Sequence, residues 1–175
     1  QDAVIGLARL SDPALADWIK ANVAFPNGMV DRITPATGPR ERAMAASFGL
    51  TDDPVPVTCE PFRQWVLEDN FPAGRPAFEA VGVTLTPHVH AFEMMKIRIL
   101  NGGHATIAYP GGLMDVEFVH EAMAHPLILG LLNKVETEEI IPYIPPVPDT
   151  DLGDYYRLIV ERFSNPEVAD TERRL

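Results

Sequence analysis

The chain has 175 residues, 46% hydrophobic and 22% charged, a composition that supports one sizeable core and makes a single domain the default. A net charge of −11 and a pI of about 4.8 exclude the electrostatics of a nucleic-acid or anionic-membrane partner, which would repel the chain, and favour a small ligand. One cysteine, Cys59, excludes an internal disulfide framework or a cysteine-rich zinc site and points to a reducing, cytoplasmic setting, while no apolar run reaches the roughly 18–20 residues a membrane span needs.

Val4, Leu7 and Leu10, then Leu15, Trp18 and Ile19, recur at helical spacing with Ser11-Asp12-Pro13 between them, so residues 2–23 are expected to form two helices. Residues 25–35 are rich in turn formers and read as a loop bearing Asp31 and Arg32. A short helix fits 39–48; residues 55–58 and 62–68 alternate in the strand manner, and 84–86 form a further strand. A long helix is expected over 91–109, with Phe92, Met95, Ile99 and Leu100 toward a core. Helices over 115–122, 126–141 and 152–163 follow, with a proline-rich turn at 142–148. The expected class is mainly α with a small β component. The chain starts at Gln1, without Met, and both ends lie in amphipathic stretches, so it is expected to be cut from something longer.

Polar residues concentrate on the long helix: Glu93, Lys96, Asn101 and His104, with Gly102-Gly103 between the last two. At α-helical pitch His104 lies about 80° and Asn101 about 140° around the axis from Lys96, with Glu93 about 60° to the other side, so the set can border one concave surface. A lysine among Phe92, Met94, Met95 and Ile97 loses part of its hydration, which favours its neutral, proton-accepting form. An asparagine amide can donate to a developing alkoxide, and an imidazole can orient a hydroxyl. That set suits alcohol oxidation, yet the spacing alone leaves open a solvated lysine, a helix-kinking asparagine and a core histidine. Paired glycines inside a helix cost roughly 1 kcal/mol each relative to alanine and imply a close approach, by another helix or by a ligand.

Lys-x-x-x-x-Asn-x-x-His within residues 95–104, the segment Phe-Pro-Asn-Gly-Met-Val-Asp-Arg-Ile-Thr-Pro at 25–35, and Cys-Glu-Pro-Phe-Arg-Gln-Trp-Val-Leu-Glu-Asp-Asn-Phe at 59–71 together resemble the polyol-specific long-chain dehydrogenase/reductase family of the mannitol 2-dehydrogenases and hexuronate reductases. The resemblance spans essentially the whole chain. It implies a catalytic lysine at Lys96, an oxyanion-stabilising asparagine at Asn101 and a substrate-binding histidine at His104. It further implies substrate contacts from Asp31 and Arg174, with Arg173 as the adjacent alternative, and a proton-relaying glutamate at Glu93. The implied reaction is hydride transfer between a polyol and a ketose, D-mannitol and D-fructose in type, with NAD or NADP and no metal. Within the same family the alternative is a hexuronate reductase, whose arginine would pair with a substrate carboxylate.

No G-x-G-x-x-G occurs in the sequence, so the chain is expected to be one domain, residues 1–175, namely the helical substrate domain of a two-domain dehydrogenase (6-phosphogluconate dehydrogenase C-terminal-like), with the Rossmann domain absent and the fragment inactive alone. The main cofactor-binding site is accordingly expected upstream of Gln1, and no residue of the chain is assigned to it. A second oxyanion asparagine is expected upstream as well, a further helical segment after Leu175, and a helix break at Pro110. Two competing readings carry different residues. A metal site would use His88 and His90, with His120 or His125, and a non-enzymatic helical interaction domain would need none of the Lys96 set. The oligomeric state is open.

Overall fold

The computed structural model describes residues 1–174 and side chains through Arg173. The expected helical hairpin is present as α1 (Asp2–Ser11) and α2 (Pro13–Asn22), with Gln1 as the N-cap of α1, its side chain making no capping hydrogen bond. Asp12 breaks the hairpin, its side chain accepting the Leu15 N–H at 3.1 Å ahead of Pro13 in the first turn. α1 buries none of its residues and α2 buries only Ala16, so the apolar stripe of the hairpin faces outward. Residues 39–48 are helical as expected, as α3 (Pro39–Ser47).

The loop expected over 25–35 is in part a strand. β1 (Gly28–Asp31) pairs antiparallel with β2 (Gln64–Leu67), setting Met29 opposite Val66 and Asp31 opposite Gln64. Alternation turns Met29 and Asp31 inward and Gly28 and Val30 outward. Pro26 and Asn27 dominate the local composition, whereas the strand is decided by a partner far along the chain. β3 (Thr84–Leu85) adds to β2 in parallel, giving the order β1-β2-β3. Residues 55–58 form no strand: Pro54 and Pro56 remove two ladder donors, and the Pro56 carbonyl instead accepts from Thr37 Oγ1 at 2.6 Å.

The expected long helix is a rod of three parts, α4 (Val89–Met95), a π-helical turn Lys96–Asn101, and α5 (Gly102–Leu113). In the π turn the Gly102 N–H reaches Ile97 O, five residues back, so the chain winds more loosely than the even α-helical pitch assumes. Pro110 does not end the rod; α5 carries it internally and continues to Leu113, correcting the expected break. α6 (Val119–Ala124) begins later than expected, and α7 (Pro126–Lys134) gives way to a second π turn, Val135–Ile140. α8 (Leu152–Phe163) matches its expected bounds, with the Asp151 side chain capping the Asp154 N–H at 2.7 Å.

Met95, Ile99, Ile107, Ile128, Leu132, Ile159 and Phe163 are fully buried, so the core is the contact of α4–α5 with α7 and α8. Removing such side chains from water contributes about 1.5–3 kcal/mol each. The sheet closes one side of this core through Met29 and Val66. Among the described residues no helix is long and apolar enough to cross a membrane.

Candidate active site

A cavity of about 1120 Å³ lies between the sheet and the helical rod. Lys96, Leu100, Asn101 and His104 form one wall. The facing wall is Val30 to Thr34 with Arg63, Gln64 and Trp65, closed at the side by Val81 to Val83 and Asp170. Lys96, Asn101, His104 and Asp31 are therefore brought to a single space. Lys96 is half-buried and Asn101 exposed. The π turn spans the interval from Lys96 to Asn101, so their relative orientation follows from its looser winding.

The close approach implied by the glycines is made by other helices. A methyl carbon placed on Gly103 would lie 3.2 Å from Phe163 Cε2, 3.4 Å from Glu136 Oε1 and 3.6 Å from Leu132 Cδ1. His104, the next residue, stacks on Phe163 with ring centroids 4.1 Å apart and planes 12° apart.

Asp31 reaches the cavity wall with its carboxylate already engaged. Arg162 of α8 donates to both of its oxygens at 2.8 Å, and the same guanidinium donates to Glu60 at 3.0 and 2.6 Å. The Ile33 N–H donates to Glu60 at 2.6 Å, and the Phe62 ring lies 4.0 Å under the guanidinium. Asp31, Glu60 and Arg162 are all buried. Burial and the Asp31 charge hold the Tyr155 hydroxyl well above the ordinary phenol range, and it stands 3.4 Å from Asp31 Oδ2. Asp31 thus anchors the β1 wall to α8. Arg32 adds a second tie, its Nε donating to the Glu60 carbonyl at 2.9 Å.

Glu93 does not line the cavity. Its Oε2 accepts from Asn27 Nδ2 at 3.3 Å and lies 3.5 Å from His90 Nδ1. Arg173 lines a separate cavity of about 580 Å³ with Glu172 and Asp115. The side chain of Arg174 lies outside the described residues. His88 and His90 are exposed at the start of α4, and among the described residues no three His, Cys, Asp or Glu side chains gather as metal ligands would.

The sequence reading missed Arg162, Glu60 and Phe163. The signal for Arg162 was an arginine on the inward stripe of α8, three residues after Ile159 and seven after Tyr155, where a charge needs a buried partner.

The mannitol dehydrogenase C-terminal domain model matches residues 88–175, and the mannitol dehydrogenase Rossmann domain model matches residues 1–80. The second match corrects two linked expectations, that the Rossmann domain is absent and that the cofactor's domain lies wholly upstream of Gln1. The matched region begins at Gln1 itself and takes in the α1–α2 hairpin and the β1–β2 pair. The glycine-rich turn is one short motif of that domain, and a chain without it can still carry the rest of the domain. A mannitol 2-dehydrogenase of Cereibacter sphaeroides is 73% identical over the whole chain, which covers 36% of that protein. One of Aspergillus fumigatus is 46% identical over 96% of the chain and 34% of its own length. The structure of Pseudomonas fluorescens mannitol 2-dehydrogenase in ternary complex with NAD and D-mannitol superposes with a TM-score of 0.89 at 47% identity, over 98% of this chain and 35% of that one. A substrate-free D-sorbitol dehydrogenase gives 0.86 at 40% identity, over 97% and 35%. The chain spans about a third of the length of these relatives. With a wall of Lys96, Asn101 and His104 and with both domain models matched, the chain belongs to the mannitol dehydrogenase family.

Proposed function

We propose that the chain supplies the substrate-binding and proton-transferring wall of an NAD- or NADP-dependent oxidoreductase that interconverts a polyol and a ketose, of the D-mannitol and D-fructose type. The observation that carries this reading is the cavity lined by Lys96, Asn101 and His104. At about 1120 Å³ it stands above the roughly 300–1,000 Å³ of pockets that take a single drug-sized ligand, and its Trp65, Val81 and Val83 side is apolar enough for a flat ring. The residues present therefore fit a nicotinamide beside a hexitol; when bound, the cofactor supplies the hydride acceptor for the carbinol carbon. The match of residues 1–80 to a Rossmann domain and the NAD in the Pseudomonas structure support the same cofactor class.

In oxidation the Nζ lone pair of Lys96 takes the hydroxyl proton as the carbon–oxygen bond gains carbonyl character. The Asn101 amide donates to the alkoxide while its charge is greatest, which lowers the barrier without tightening the ground state. His104 hydrogen-bonds a neighbouring hydroxyl and fixes which carbon faces the hydride acceptor. Glu93, one turn before Lys96 and partly exposed, offers a carboxylate through which the proton reaches water. The family resemblance also assigns substrate contacts to Asp31, whose carboxylate Arg162 already engages, and to Arg174, whose side chain lies outside the described residues. No resident metal has a role in these steps, and the cytoplasm suits the protein.

The test is Lys96→Ala in the full-length protein. Turnover of D-mannitol falls by about 10²–10⁴-fold or more, while the melting temperature and nucleotide affinity stay close to wild type. Near-normal turnover would remove Lys96 from the chemistry, whereas no turnover in the unmutated full-length protein would favour the interaction-domain reading. A hexuronate reductase is the second reading, favoured by Arg32 and Arg63 on the cavity wall, which could face a carboxylate. Comparing kcat/KM for D-fructose and D-fructuronate separates the two.

A further inference from the structure

We propose that Phe163 is a positioning residue for His104, fixing the plane of the imidazole from behind the cavity; the inference rests on the reading of His104 as a substrate-orienting group. Three observations converge on it. The rings stack at 4.1 Å with only 12° between their planes, so rotation of His104 about its χ2 would drive one ring into the other. Phe163 is 2% exposed and sits in the core beside Leu132 and Ile159, so it cannot yield. The residue before His104 is Gly103, and a methyl there would lie 3.2 Å from the Phe163 ring, a contact tighter than ordinary van der Waals packing. The backbone is thus cleared of a side chain where the ring passes beneath the histidine.

The geometry divides the labour between two helices. α5 carries His104 to the cavity wall, and the last residue of α8 sets its orientation. A hydroxyl-orienting imidazole loses its value when its ring plane is free, because misplacement of a catalytic group by about 1 Å can cost on the order of 10²-fold. An aliphatic side chain of similar bulk would keep the core filled and release the ring.

The experiment is a double-mutant cycle in the full-length enzyme, with kcat and KM for D-mannitol as readouts and thermal melts as the control for folding. Phe163→Leu is expected to lower kcat/KM about 10-fold or more, and Phe163→Tyr, which keeps the stack, to stay within about 3-fold of wild type. His104→Ala is expected to lower kcat/KM by about 100-fold, and adding Phe163→Leu to it should cost nothing further, because Phe163 acts only through His104. Phe163→Met carries the same cycle should the leucine variant not fold. If the two losses multiply, or if Phe163→Leu is silent while His104→Ala is not, Phe163 has no positioning role and the active-site reading stands. If His104→Ala is itself silent, the reading of His104 fails and takes the inference with it.

Discussion

Arg162 holds the β1 wall of the cavity to α8 from behind its lining. Its guanidinium is planar and offers paired donors, so it can hold Asp31 and Glu60 bidentately at once, which an ammonium cannot do. Two carboxylates against one cation leave a net negative charge in a buried site, offset by the Ile33 N–H and the Tyr155 hydroxyl. Replacing only the cation would leave both carboxylates facing each other without water. Arg162→Met is therefore expected to destabilise the protein by about 3–5 kcal/mol, a drop in melting temperature of several degrees. Arg162→Lys should recover only part of it, because a single ammonium cannot pair bidentately with both acids. Urea and thermal melts of the full-length protein check both values, and an Arg162→Met variant that melts within a degree of wild type would show the clamp to be dispensable.

At the scale of elements, the two π turns are the departure from α-helical winding, and each carries an ionisable side chain, Lys96 in the first and Glu136 in the second. The second, Val135–Ile140, carries Glu136, which is completely buried with neither carboxylate oxygen hydrogen-bonded among the described residues. Burial raises its pKa from the ordinary carboxyl value of 4.5 to about 8. An unfolded chain releases this proton near 4.5 while the folded protein holds it until about 8. Between those limits the unfolded state binds fewer protons, so stability declines as pH rises from about 5 to 8. Glu136→Gln should flatten this part of the profile, raising the melting temperature by several degrees at pH 8 and little at pH 5, at roughly 2–4 °C per kcal/mol; an equal shift at both values would contradict the assignment. Helices with a long apolar stripe, α8 above all, were legible in the sequence because side-chain periodicity alone specifies them. The π turns were not, since they differ from α-helix by a single hydrogen-bond register, and β1 was hidden because its partner is distant in sequence. Lys96, Asn101 and His104 were placed in one space by the motif, whereas Arg162 and Phe163, which hold that space in shape, bear no motif and required the packing of α8.

For the whole molecule, the α1–α2 hairpin shows a broad apolar face to solvent: Leu10 is 86% exposed, Leu7 71% and Trp18 57%. A face of that kind on the 175-residue chain should bind a hydrophobic dye and promote self-association. Substituting Leu10 and Trp18 by glutamine should reduce both effects, as read by dye fluorescence and sedimentation, without lowering the melting temperature of the helical core; unchanged dye binding would place the sticky surface elsewhere. The buried clamp has a consequence in time as well as in space. Asp31 and Glu60 meet Arg162 across sequence separations of 131 and 102 residues, so loop closure must be completed before any of these bonds can form. The Lys96 helix is local and can form early, but the pocket it faces exists only once the chain has closed on itself, so binding competence should appear last in refolding, after helical circular dichroism has recovered.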